Sequence, residues 1–212
     1  MGRFFVLFAA LSLFLLSSPG DARALDFVSI GFDNVIGKIG YIFANPLRDE
    51  YASLGVHFRG EAEKDGGAIL IAEAIGFSAE SSPNVLAFNR TAKLANEGIA
   101  TWPEIIFFDS LWKTVSIDVR SYLGMDHFIL TGFDSSGKEV VSSNVDTNTT
   151  WAQISVSWPA GLNRVELTRL ENGGNSFAAD NLLLTERVVP EPGTMLLLGL
   201  GLTVMGILRR RI

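Results

Sequence analysis

Cysteine is absent from all 212 residues. That excludes disulfides, thiolate metal ligands and thiol nucleophiles together, so stability has to come from packing. Histidine is nearly as scarce: His57 and His127 are the only two, each inside a strand-like segment. There is no His-Glu-x-x-His, no Gly-x-Ser-x-Gly and no glycine-rich loop ending in Lys-Ser/Thr. Zinc hydrolase, seryl hydrolase and nucleotide-binding chemistry therefore lack the residues that carry them. Basic runs are missing between the two ends. Five of the 17 Lys and Arg residues (Arg3, Arg23 and Arg209 to Arg211) and two of the 23 acids (Asp21, Glu191) lie in the terminal segments. Residues 25–187 keep 12 basic against 21 acidic residues, a formal charge of −9. Such a domain repels phosphate backbones, which argues against nucleic acid as a partner. Long apolar runs are lacking too, and the two short ones sit at the ends.

The first short run follows Arg3. Phe4 to Leu16 is apolar apart from Ser12, and Ser17-Ser18-Pro19-Gly20 then leads to Ala22-Arg23-Ala24. A positive start, a short apolar stretch and a small-x-small site describe a secretory signal peptide over residues 1–24, with signal peptidase and the general secretion machinery as implied partners. Cleavage after Ala24 makes Leu25 the mature N-terminus.

The second run lies in residues 188–212. Val189-Pro190-Glu191-Pro192-Gly193-Thr194 precedes an apolar stretch from Met195 to Leu208, and Arg209-Arg210-Arg211-Ile212 follows. The two prolines remove backbone donors and restrict φ, so a helix breaks there and a new one starts beyond it. At about 1.5 Å per residue, Met195 to Leu208 spans about 21 Å against a hydrocarbon core of about 30 Å, so insertion is favourable but marginal. The three arginines stay cytoplasmic by the positive-inside rule and leave the domain outside. Pro-Glu-Pro, a short apolar helix and a basic cluster in that order resemble the PEP-CTERM sorting signal. The resemblance covers only about the last twenty-five residues. It implies that Pro190, Glu191 and Pro192 are recognised by exosortase, a membrane protease-transpeptidase. Met195 to Leu208 would then be a transient transmembrane anchor, and Arg209 to Arg211 the stop-transfer end. The family occurs mainly in Gram-negative bacteria that make exopolysaccharide and biofilm. The expected route is thus export, transient anchoring in the inner membrane, then release to the cell surface or extracellular matrix.

Between the ends, 163 residues suffice for one domain with a real core. Val115 to Val119 and Ala152 to Trp158 alternate with the period of half-buried strands. Further strand candidates are Phe27–Phe32, Gly55–Phe58, Ala68–Ala72, Glu104–Phe108, Phe128–Phe133, Lys138–Val141, Arg164–Leu170 and Phe177–Leu184, with a hairpin turn at Asp134-Ser135-Ser136-Gly137. Ala92 to Asn96 suggests one helical turn inside a longer loop. About ten short strands with turns between them predict an all-β fold, a jelly-roll-like β-sandwich over residues 25–187. The stretch Thr114 to Glu186, closing on Phe177-Ala178-Ala179-Asp180-Asn181-Leu182, is similar to galactose-binding and carbohydrate-binding jelly-roll modules, and implies fold more than ligand.

Three side chains stand out as candidate ligand groups. Asp33 follows the first strand and Asp180 opens the last; terminal strands of a jelly roll are commonly neighbours, so the two carboxylates could share a structural Ca²⁺. Trp102 lies in Thr101-Trp102-Pro103, a loop-like context where the ring either stacks on a sugar or anchors the loop in the core. Asp146 to Thr150 opens like a calcium-binding EF-hand loop but lacks its glycine and its final glutamate, so it is rejected. The expected function is non-enzymatic: an exported surface or matrix protein with an adhesive or glycan-contacting domain, exopolysaccharide being the implied partner. The alternative is an exported carbohydrate-active enzyme using a carboxylate pair, which plentiful acids allow but no short spacing identifies.

Overall fold

The computed structural model describes residues 27–170 and 176–188. The signal segment and the apolar Met195–Leu208 stretch lie outside them, and among the described residues no helix is long and apolar enough to cross a membrane. The rest is β structure: β1 (Phe27–Ile30), β2 (Val56–Gly60), β3 (Ala68–Ile71), β4 (Asn84–Lys93), β5 (Ile99–Ala100), β6 (Glu104–Ser121), β7 (Asp126–Phe133), β8 (Glu139–Thr147), β9 (Ala152–Leu170) and β10 (Ser176–Arg187). Short 3₁₀ turns at Tyr41–Phe43, Ala52–Leu54 and Ala72–Ile75 sit in the connections.

All ten strands belong to one hydrogen-bonded sheet, ordered β3-β4-β10-β6-β9-β7-β8, with β1 on β10, β2 on β6 and β5 on β4. It folds over itself because β6 and β9 each serve two halves. Val115 to Val119 of β6 pairs with Ala152 to Val156 of β9 and belongs to the first half with β10, whereas Glu104 to Phe107 pairs with Arg164 to Leu167 and belongs to the second half with β2, β7 and β8. The pairing register shifts between Phe107 and Thr114. A bulge there changes the phase of burial: Glu104, Ile106 and Phe108 face inward on one side of it, Val115, Ile117 and Val119 on the other. β9 changes phase likewise, from Ile154 and Val156 to Val165 and Leu167. At its corner Gly161 has φ 92°, and a Cβ there would come within 2.7 Å of Leu111 and 2.8 Å of Val188, so glycine is required on both counts.

Sequence reasoning sees two strands in each of β6 and β9 because a phase change looks like an ending. β4 and the two-residue β5 are the strands it misses, and β4 has a physical reason. Its residues Asn84 to Phe88 are all buried, because Leu86 and Phe88 face the main core while Val85 and Ala87 face a second cluster with Leu70, Phe77 and Ala178. A strand buried on both faces shows no alternation. Ala92 and Lys93 end this strand, and the residues that follow form a turn, not the helical turn expected.

The main core lies between the halves. Phe177 stacks on Phe88 with ring centroids 4.3 Å apart and meets Phe128 of the second half edge-on at 5.1 Å. Phe32, Tyr51 and Phe58 form another aromatic group, which holds Phe32 at φ 62°, a conformation costly for a bulky residue.

Candidate functional site

The outer faces of the two halves differ. Over β3, β4 and β10, the outer face of the first half is covered by connecting segments that bring Tyr41, Ala44, Phe77 and Ala79 onto it. The outer face of the second half carries no such layer among the described residues, and its side chains stay half-exposed or exposed. Pairing arranges them in rows across five strands. One row runs His57, Phe107, Arg164, Phe133, Glu139; the next runs Arg59, Ile105, Glu166, Thr131, Ser142; then come Thr168, Ile129 and Asn144.

The first of these rows is the most developed. The Arg164 guanidinium lies 4.0 Å from the Phe133 ring centroid and 5.9 Å from that of Phe107, while Arg59 lies over the other side of the row, 5.6 Å from Phe107. Glu166 pairs with Arg164 at 3.3 Å, and Thr131 and Ser142 share a hydroxyl contact at 3.3 Å. At one end His57 bridges two carboxylates, Nδ1 to Asp49 at 2.7 Å and Nε2 to Asp109 at 3.3 Å. The hydrogen bond that the imidazole donates to Asp49, and behind it the charge of Asp109, hold His57 above its ordinary pKa. At the far edge His127 meets Asp146 at 2.6 Å. Among the described residues neither histidine hydrogen-bonds a hydroxyl that could act as a nucleophile. What the face offers is half-exposed aromatic rings interleaved with guanidiniums, beside fixed donors and acceptors, which suits polar rings with apolar faces. No motif in the sequence announces it. The alternating Phe107, Arg164, Phe133 and Thr131 become a site only through register.

The candidates read from sequence lie elsewhere. Trp102 is a core residue, 6% exposed, and its indole N–H donates to the Arg169 carbonyl at 3.0 Å. Phe177 meets it edge-on at 5.3 Å, and the guanidiniums of Arg90 and Arg169 lie 4.8 and 5.2 Å from its ring. No open face is left for a sugar, so of the two roles expected the anchor is the one the structure supports.

Asp33 and Asp180 do converge, and the Asp33 charge is among the causes that raise the Asp180 pKa, behind burial. Their surroundings are donors, however. Asp180 Oδ2 accepts from the backbone N–H of Glu80 (3.1 Å) and Ser81 (2.8 Å), and Oδ1 from the Ser81 hydroxyl (2.9 Å) and the Asn181 N–H (2.8 Å). Asp33, which is exposed, accepts from Asn84 N–H at 2.9 Å. Four donors occupy the lone pairs of Asp180, and N–H groups aimed at a carboxylate repel a cation. Among the described residues no three His, Asp or Glu side chains are grouped to hold a metal. The geometry thus favours a hydrogen-bonded clamp between β10 and the Glu80–Asn84 segment over the expected calcium ion.

Comparison with known proteins adds the remaining facts. Residues 188–211 match the family model of the PEP-CTERM protein-sorting motif. The tail is a sorting signal. Pro190, Glu191, Pro192 and the arginines at 209, 210 and 211 all fall within the match. A motif of this kind implies an exported chain, transiently anchored at the membrane and processed by exosortase. No curated protein matches the chain. Among solved structures, the K2 cleaved adhesin domain of Lys-gingipain is similar at 12% identity and TM-score 0.50, over 76% of this chain and 100% of that one. A DUF4465 family protein from Bacteroides caccae is similar at 14% identity and TM-score 0.48, over 76% and 99%. The module TmCBM61, solved with β-1,4-galactotriose, is similar at 15% identity and TM-score 0.41, over 67% and 99%. At 12% identity the likeness to the adhesin domain is one of fold alone.

Proposed function

We propose that the domain is a non-catalytic glycan-contacting module. Export and the sorting tail would deliver it to the cell surface or extracellular matrix, where the open face of the second half-sheet would meet exopolysaccharide. The observation that carries the reading is the row Phe107, Arg164, Phe133 on an uncovered five-stranded face. Arg164 fixes the two rings by lying between them, so their exposed parts are held in place before a ligand arrives, which lowers the ordering cost of binding. Thr131, Ser142 and Asn144 supply hydrogen-bonding groups beside them. The adhesin domain that shares the fold is in keeping with a surface-contact role. The test is retardation of the full chain in polysaccharide-containing native gels, with reducing ends assayed in parallel. The reading expects retardation that Phe133→Ala weakens, without release of reducing ends. Release of reducing ends would instead point to an enzyme that uses a carboxylate pair.

A further inference from the structure

A second surface belongs to neither the core nor the glycan face. Between β1 and β2 the chain runs along the free edge of β3. Lys38 donates its N–H to Ile69 O at 3.2 Å and accepts from Ile71 N–H at 2.9 Å. The segment is pinned again at Ala44, whose carbonyl accepts from Ala95 N–H at 2.9 Å, and at Leu47, whose N–H donates to Gly67 O at 2.8 Å. Its inward side chains Tyr41, Ala44 and Leu47 are packed. The outward ones are as apolar and have no cover: Ile36 is 83% exposed, Ile39 66%, Ile42 64% and Phe43 58%. Four large apolar side chains in eight residues, held outward by a fixed backbone, are more than scattered surface hydrophobicity.

Charge and chain length indicate the occupant. From Asn34 to Leu47 there is one cation, the exposed Lys38, and no acid, within a domain of formal charge −9; the Arg48 guanidinium beyond it is taken up by the Leu47, Glu63 and Asp65 carbonyls. Three of the four are branched aliphatic side chains, which offer a sugar neither a flat ring nor a hydrogen bond; Phe43 alone has a ring. The sorting tail, moreover, tethers this domain to a bilayer. Six residues separate Val188 from the apolar run at Met195, a reach of at most about 20 Å. β3 lies two strand spacings from β10, which carries the tail, and the Ile36–Ile39 segment one spacing further, about 14 Å in all. Tail and ridge can therefore meet one plane while the domain lies on its β3 edge.

We infer that the ridge Ile36, Ile39, Ile42 and Phe43, with Lys38 among them, is an interfacial contact for an anionic lipid bilayer, holding the anchored domain against the membrane before its tail is removed. Alone such a contact is weak; the tether makes it intramolecular, so a modest affinity suffices. The inference stands apart from the glycan face, on the opposite half of the sheet.

The absence of cysteine allows a direct test. Full chain carrying Ile39→Cys, labelled with an environment-sensitive dye, is bound to phosphatidylcholine–phosphatidylglycerol vesicles; Ser155→Cys, exposed on β9 far from the β3 edge, is the reference. The expected result is a blue shift at position 39, with quenching by brominated lipid, and neither at position 155. Ile42→Cys reports on the same ridge should the first variant fold poorly. No shift at position 39 or 42 in chain that co-sediments with vesicles would overturn the inference. So would a shift without vesicles that grows with protein concentration, since a second copy would then be the cover.

Discussion

Trp102 and Arg169 hold each other twice: the indole N–H donates to the Arg169 carbonyl at 3.0 Å, and the Arg169 guanidinium lies 5.2 Å from the indole ring. Arg169 also forms a fully buried ion pair with Asp126 at 2.6 Å. The loop entering β6, β9 and the start of β7 are thereby joined at one point in the core. Trp102→Ala should cost about 3–5 kcal/mol in denaturant unfolding, as large-to-small core truncations do. Trp102→Phe should cost less, because it keeps much of the apolar bulk and loses mainly the N–H bond. An alanine variant with an unchanged midpoint would show that the ring is not an anchor.

At Asp180, four donors on one carboxylate predict sensitivity to amide replacement and indifference to metal. Asp180→Asn turns one acceptor oxygen into a donor facing N–H or O–H groups, and should cost about 1–3 kcal/mol in thermal unfolding. A chelator should leave the wild-type Tm unchanged. A fall of several degrees on chelation would restore the calcium ion expected from sequence, since binding to the native state alone at a hundredfold excess over Kd stabilises by about 2.7 kcal/mol.

Glu104, fully buried at the start of β6, accepts from Gly67 N–H at 2.7 Å. Burial raises its carboxyl from an ordinary 4.5 to about 8, outweighing that hydrogen bond and the charge of Arg48. The native state therefore keeps a proton that the unfolded chain releases in this window. Its contribution is complete below about pH 4.5 and is lost as pH rises through about 8. Glu104→Gln removes the titration, so relative to the variant the wild type should lose Tm between mildly acidic and alkaline pH. Parallel curves for the two proteins would contradict the assignment.

How much of this was legible in the sequence depends on how local each signal is. Strand periodicity revealed most elements and the β-sandwich class, because one-sided burial writes itself as alternation. It could not show that Glu104–Phe108 and Val115–Val119 are one strand, since a bulge resets the phase. Nor could it show β4, whose two buried faces erase the period. The tail was legible because prolines, apolar stretch and arginines are contiguous. The open face was not, because Phe107, Phe133 and Arg164 are brought together only by long-range pairing. Trp102 was legible as a loop residue but not as a buried one, since neither Arg90, Arg169 nor Phe177 is near it in sequence.

Sorting is checked in the native host. Deleting residues 190–212 should shift the protein from envelope-associated to freely released, because the apolar stretch and the arginines go with the deletion. Mass spectrometry of the mature native protein should find no peptide from Met195 onward. A mature form that retains Arg209 to Arg211 would refute processing by exosortase.

We propose that the second half-sheet binds glycan through the Phe107–Arg164–Phe133 row. The most direct measurement compares wild type, Phe133→Ala and Ser155→Ala for retardation in native gels containing the host's own exopolysaccharide, with melting curves run alongside. Phe133 is half-exposed, so its truncation should change stability far less than a core aromatic would. The account predicts that Phe133→Ala loses most of the retardation while Ser155→Ala, on the other half-sheet, keeps all of it. Equal retardation of all three folded proteins would contradict it.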